Sequence, residues 1–175
     1  MKKSTIAILA VVAVIVVWAI AGYNGLVSNE ESVNQTWANV ESAYQRRMDL
    51  IPNLVNTVKG YAEHEKETLQ AVTDARSKAT SINIDPSTAT PEQMEAWMSA
   101  QHSMSSALGR LIAVSESYPE LKANENFRDL QAQLEGTENR IKVERDRYNA
   151  AVKEYNVKIR RFPSNILASL FGFDK

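Results

Sequence analysis

Between Ser4 and Asn29 the chain carries no charged residue, and from Ile6 to Ala21 it is almost wholly aliphatic. A bilayer hydrocarbon layer of about 30 Å takes roughly 20 residues of helix to cross, and a helix pairs its own backbone polar groups where no water is present. Residues 5–27 are therefore read as a helix in contact with the lipid bilayer, and residues 1–27 as an N-terminal membrane anchor. No other feature restricts the fold so strongly, because whatever follows is tethered to a membrane at one end.

Charge sets the expected orientation. Lys2 and Lys3 precede the run, and the next basic residue after it is Arg46. Basic residues within about 15–20 positions of a span stay on the cytoplasmic side. The N-terminus is thus expected inside and the body extracytoplasmic, as a single-pass protein of the cell membrane. Trp18 and Tyr23 suit the headgroup region near the end of the crossing. Ala19-Ile20-Ala21 also has the small-residue spacing of a signal-peptide cleavage site after Ala21. Against cleavage, no helix breaker precedes that triplet, and apolar character resumes at Leu26 and Val27.

The remaining residues suffice for one domain, placed at 28–163, with an apolar C-terminal tail at 164–175. The formal net charge of -1 supplies no field that would attract nucleic acid, so a nucleic-acid partner is not expected. Without cysteine, no disulfide framework holds the body together. Few glycines and prolines among many Ala, Leu, Glu, Gln, Lys and Arg favour helix.

Three amphipathic stripes follow. The first runs Val33, Trp37, Val40, Tyr44, Met48, Ile51, Val55, Val58, Ala62, Leu69, Val72 and Ala79, with gaps mostly of three and four. Pro52 interrupts it by removing a backbone donor and crowding the carbonyl of Met48. A bent rod and two stacked helices both satisfy this pattern, and Gly60 is a weaker soft point. The prolines between Ile82 and Pro91 end the rod. Thr90 and Gln93 then form a capping box with Pro91 at the first helical position, starting a second stripe: Met94, Trp97, Met98, Gln101, Met104, Leu108, Leu111, Ile112 and Ser115. Tyr118-Pro119 closes it. The third stripe reads Phe127, Leu130, Leu134, Thr137, Ile141, Tyr148, Val152, Tyr155, Ile159 and Phe162, and Pro163 ends it. The fold expected is all-α: a transmembrane helix continuing into an antiparallel up-and-down bundle of three long helices, or four if the first breaks near Pro52.

At about 1.5 Å per residue, a first rod of about 53 residues reaches roughly 80 Å, whereas a second of about 26 reaches only about 40 Å. Folded back from the far turn, the second covers the first no further than Pro52. Val33, Trp37, Val40, Tyr44 and Met48 are thereby expected to form an interface with sister subunits, making a homo-oligomer, or with another membrane protein. Pro52 is the expected hinge. The tail, with Ile166, Leu167, Leu170, Phe171 and Phe173, is too apolar to stay wet. Capping of the distal bundle end is the favoured placement, with a groove on a sister molecule or a lipid–water interface as alternatives.

The stretch TWANVESAYQRRMDLIPNLVNTVKGYAEHEKETLQAVTDARSKA, Thr36 to Ala79, resembles the LemA family of small membrane-anchored bacterial proteins. SYPELKANENFRDLQAQLEGTENRIKVERDRYNAAVKEYN, Ser117 to Asn156, and FPSNILASLFGF, Phe162 to Phe173, are similar to that family's other recurrent segments in the same order. The resemblance implies an N-terminal transmembrane helix followed by an up-and-down bundle, here the LemA-like bundle of residues 28–163, with no established enzymatic activity.

Chemistry-bearing motifs are sparse. His64-Glu65 begins an HExxH pattern, but Thr68 stands where the second histidine would be, and His102 is the only other histidine. No cysteine nucleophile, GxSxG elbow, Ser-x-x-Lys pair or glycine-rich phosphate loop occurs. Catalytic, metal and cofactor-binding residues are accordingly expected to be none. Arg46, Arg47 and Asp49 could form an anion site, since guanidinium forks grip carboxylates and phosphates. Pairing of these residues with Glu41 or with acids on a neighbouring helix is the simpler reading. The polar run from Asn124 to Arg147 is expected to be a solvated face. Together these features predict a non-enzymatic scaffold or docking adaptor at the cell envelope, with a sensor that bends at Pro52 as the alternative.

Overall fold

The computed structural model describes residues 3–173. These form six helices and no strands: α1 Lys3–Lys59, α2 Lys66–Ser81, α3 Pro91–Ser115, α4 Pro119–Ala123, α5 Glu125–Arg160 and α6 Ser164–Phe171. They gather into two compact units, one of residues Glu41–Lys142 and one of the residues up to Val40 with those from Val143 onward. Helices α1 and α5 contribute to both.

In the Glu41–Lys142 unit, the first rod breaks at residues 60–65 and not at Pro52. Helix α1 runs through Pro52 to Lys59, and the chain turns at Gly60 before α2. Helix continuity at a proline leaves the carbonyl four residues back without its usual donor. Arg76 on α2 supplies one, its Nε–H donating to the Met48 carbonyl at 3.1 Å. The same bond shows α2 folded back along α1. At the other end of the unit, the Tyr118 hydroxyl donates to Glu65 Oε1 at 3.0 Å, and Asn124 Nδ2 donates to the Tyr61 hydroxyl at 3.0 Å, so the α1–α2 turn meets the α3–α4–α5 turns.

Local signals act where the sequence places them. Thr90 Oγ1 accepts from Gln93 N–H at 3.2 Å, Gln93 Oε1 accepts from Thr90 N–H at 2.8 Å, and Pro91 opens α3. Asn124 Oδ1 accepts from Phe127 N–H at 2.9 Å and so caps α5. Met48, Ile51, Leu54, Val58, Val72, Met104, Leu111 and Phe127 belong to one continuous apolar core drawn from α1, α2, α3 and α5.

The other unit holds the apolar run. Ile6, Val14 and Val17 on α1 are more than half exposed, and the 18-residue window that qualifies as a span has none of its residues buried in the protein. Side chains so apolar and so uncovered require a non-aqueous surround, and the chain is read as membrane-associated. Just beyond, Leu26 is buried against Tyr155, Ile159, Leu167 and Ala168, with Ala19, Val33 and Phe173 packed around them.

The tail therefore does not take the position favoured from sequence. Helix α6 docks on α1 at residues 19–26, the outer end of the apolar run, and caps no far end of the bundle. Gly22 permits the approach, because a β-carbon there would collide with Leu167 Cδ1. Tyr23 meets Phe171 and Phe173 edge-on at 4.9 and 5.7 Å. Gly172, with φ of 74°, ends the helix in the left-handed region that glycine enters without a Cβ clash.

Candidate functional site

The stripe expected to be left for sister subunits is covered by the chain itself. Trp37, Val40, Tyr44 and Met48 are buried, Trp37 to 6% exposure, and Val33 is half-buried. Trp37 lies 5.2 Å from Tyr148 of α5, ring to ring, and Tyr44 meets Trp97 of α3 edge-on at 4.9 Å. Two features of the chain provide that cover. The rod already turns at residue 60, which brings α3 back alongside Tyr44. Helix α5, at 36 residues, continues well past the length of the 25-residue α3.

Of the Arg46, Arg47 and Asp49 group, only Arg47 points inward. Arg46 and Asp49 are exposed, and Asp49 accepts from Gln45 Nε2 at 2.8 Å. Arg47 is 1% exposed, at a position three residues after Tyr44 and four before Ile51, on the buried stripe of α1. Its Nη1 donates to Ser105 Oγ at 2.7 Å and to Glu138 Oε1 at 2.9 Å. Its Nη2 donates to Gln101 Oε1 at 2.6 Å and to the Gln101 carbonyl at 3.2 Å. The guanidinium carbon stands 5.0 Å over the Tyr44 ring, and Nε is buried with no acceptor.

One buried cation thus ties α1 to α3 and α5. Here its five donors are spent mainly on fixing helix positions, with a carboxylate, neutral oxygens and a ring face replacing water. From the sequence, Glu138 falls on a face expected to be solvated and Gln101 inside an apolar stripe with no role of its own. The readable signal was three polar residues on buried stripes: Arg47, Gln101 and Thr137. Their need for partners foretells a polar centre, although not the identity of Ser105 and Glu138.

Two of Arg47's partners also wall an open groove between α3 and α5. Ser105 and Glu138 stand at its side, Leu108, Ile112 and Leu134 form an apolar floor, and Gln131, Glu135 and Asn139 form a polar rim around a volume of about 520 Å³. Gly109 lies in this lining, and a β-carbon there would meet nothing within 4 Å.

The HExxH-like start is engaged elsewhere. His64 and His102 are exposed, while Glu65 accepts from Tyr118. That bond, reinforced by burial and by the nearby negative charge, holds the Tyr118 hydroxyl protonated to higher pH than usual. Among the described residues, no three of His, Asp and Glu converge as metal ligands. In the other unit, Glu144 is buried and accepts from Arg147 at 3.0 Å, with its second oxygen unpartnered. Its burial departs from the solvated face expected for the Asn124–Arg147 run.

The pattern that defines the LemA family matches residues 36–175. Magnetosome protein MamQ 2 of Paramagnetospirillum magneticum is 30% identical, over 97% of this chain and 68% of its own length. Magnetosome protein MamQ of Magnetospirillum gryphiswaldense is 28% identical, over 87% of this chain and 62% of its own. Protein LemA of Metamycoplasma hominis is 26% identical, over 83% of this chain and 63% of its own.

Proposed function

The chain belongs to the LemA family, and from that premise we propose that it is a non-enzymatic, membrane-anchored scaffold that assembles with further copies of itself through the α3/α5 groove. The observation that carries this reading is the groove's construction. It has an apolar floor at Leu108, Ile112 and Leu134, with Gly109 adding no side chain to its lining, and it stands on helices tied together by Arg47. A rigid, concave, part-apolar surface suits an inserted side chain or helix edge of a partner. The polar groups nearest to it are already hydrogen-bonded, which favours docking over reaction. Relatives carrying the name of a cellular body, and not of a reaction, fit the same assignment.

An extracytoplasmic body is part of this proposal, supported by Lys2 and Lys3 ahead of the apolar run and by the lack of any basic residue between Lys3 and Arg46. Orientation is decided during insertion, before folding brings Lys158 to within 2.8 Å of the Gly25 carbonyl, so the folded position of that lysine does not count against it. Regulation by bending at Pro52 is the second reading, favoured by the Arg76 bond to Met48, which would serve such a bend as a latch.

Native mass measurement of the full chain extracted in mild detergent tests the scaffold. Wild type is expected as an oligomer, and Gly109→Leu, whose β-carbon enters open space and whose remaining carbons occupy the groove, as a smaller species with an unchanged helix signal. Monomers for both reject self-assembly. Protease protection in intact spheroplasts reads the side: a protected body refutes the outward placement.

A further inference from the structure

We infer that α6 is a second membrane contact, an amphipathic helix lying on the lipid surface beside the foot of the span. This rests on the reading of α1 as the membrane anchor. Helix α6 presents two faces. Leu167 and Ala168 are buried against Leu26, Tyr155 and Ile159. On the side away from α1, Phe162 just before the helix and Ile166 and Leu170 within it recur every four residues, at 75%, 52% and 72% exposure. One apolar face is thus satisfied by the protein and the other by nothing in it.

Its position identifies the occupant. The α1 residues that α6 meets, between Ala19 and Leu26, lie in the last two turns of the apolar run, none of whose earlier residues is buried. Some 20 helical residues counted from Ile6 bring the edge of the hydrocarbon layer to about Gly25. Helix α6 therefore sits at the depth where amphipathic helices lie in membranes, with the apolar side sunk about 5–10 Å past the headgroups. The apolar residues left exposed on α6 thus stand at the edge of the layer that surrounds the span, within reach of the same lipid. Arg160 and Arg161, both exposed, immediately precede Phe162 and fall at the level of the headgroup phosphates. The tail tethers the end of α5 to the membrane by contact with lipid as well as with α1.

The natural absence of cysteine makes the test direct. Single-cysteine variants of the full chain at Val14, Asn39, Ile166 and Leu170 are nitroxide-labelled and reconstituted in vesicles of phosphatidylcholine with about one-third phosphatidylglycerol. Collision rates with oxygen and with a water-soluble nickel chelate are then compared. Val14 reports the span and Asn39 the aqueous body. Labels at Ile166 and Leu170 are expected to resemble Val14, with the oxygen-to-chelate ratio several-fold above that at Asn39. An aqueous ratio at both positions while Val14 stays lipidic overturns the inference and leaves the anchor intact. An aqueous ratio at Val14 overturns the anchor reading itself. Spin–spin broadening at Ile166 or Leu170 would place a second copy on this face, and that also overturns the lipid assignment.

Discussion

Helix α1 passes through a proline, and the carbonyl that Pro52 leaves without a donor is taken by Arg76 at 3.1 Å. Replacing Arg76 by leucine removes a charged donor from a carbonyl whose residue is buried to 3% exposure. A hydrogen bond involving a charged group contributes about 1.5–3 kcal/mol, and an orphaned buried acceptor costs about 1–3 kcal/mol. Arg76 is itself half-buried, so the loss expected for Arg76→Leu is about 2 kcal/mol. In a Pro52→Ala background the residue at that position regains its N–H and bonds the Met48 carbonyl within the helix. The same Arg76→Leu change should then cost about 0.5 kcal/mol, a coupling of about 1.5 kcal/mol between sites on two helices. Urea titration of the full chain in detergent, followed by far-UV circular dichroism, reads the four corners of this cycle. With a slope of about 2 kcal/mol/M, the single Arg76 variant shifts the midpoint by about 1 M. Equal costs in the two backgrounds would refute the compensation and the latch drawn from it.

Arg47→Leu is expected to destabilise by about 3 kcal/mol, because it strands Gln101 and Ser105; Glu138, at 39% side-chain exposure, can rehydrate and contributes less. A loss under about 1 kcal/mol in the same titration would mean that this centre does not hold the helices. Gly136→Ala, at an exposed position of α5 where a β-carbon meets nothing within 4 Å, should gain about 1 kcal/mol and raise the melting temperature by about 2–4 °C; no gain in calorimetry would count against the helix there. Tyr118 binds its proton more tightly folded than unfolded, chiefly through Glu65, so its contribution is complete below the ordinary tyrosine range near pH ~10 and is lost as pH climbs through the raised folded value. Tyr118→Phe should flatten the alkaline part of the stability profile, to which Tyr148, shifted upward by burial, also contributes; an identical decline in the variant would exclude the Glu65 bond.

Much of the fold could be read along the chain because its causes are local. The capping box at Thr90 and Gln93, the proline stops, and the three-and-four spacing of each stripe depend on neighbours a few residues away, and the helices form where these signals stand. The candidate site was legible only as a misfit, in Arg47 and Gln101 on faces that otherwise bury carbon. Glu138 was hidden in a run of charges because nothing local distinguishes a carboxylate that faces water from one that faces a buried guanidinium.

The helices, the apolar run and the oily faces were legible in the residues alone, since backbone hydrogen bonding and apolar periodicity are properties of short segments. Tertiary structure alone decided which faces remain free. The turn at Gly60 in place of Pro52, and the continuation of α5 to Tyr148 and beyond, closed over Trp37 and Tyr44. Docking of Leu167 against Gly22 brought the tail to the end of the apolar run. Burial is a property of pairs of surfaces distant in sequence, and a stripe carries no record of what will lie against it.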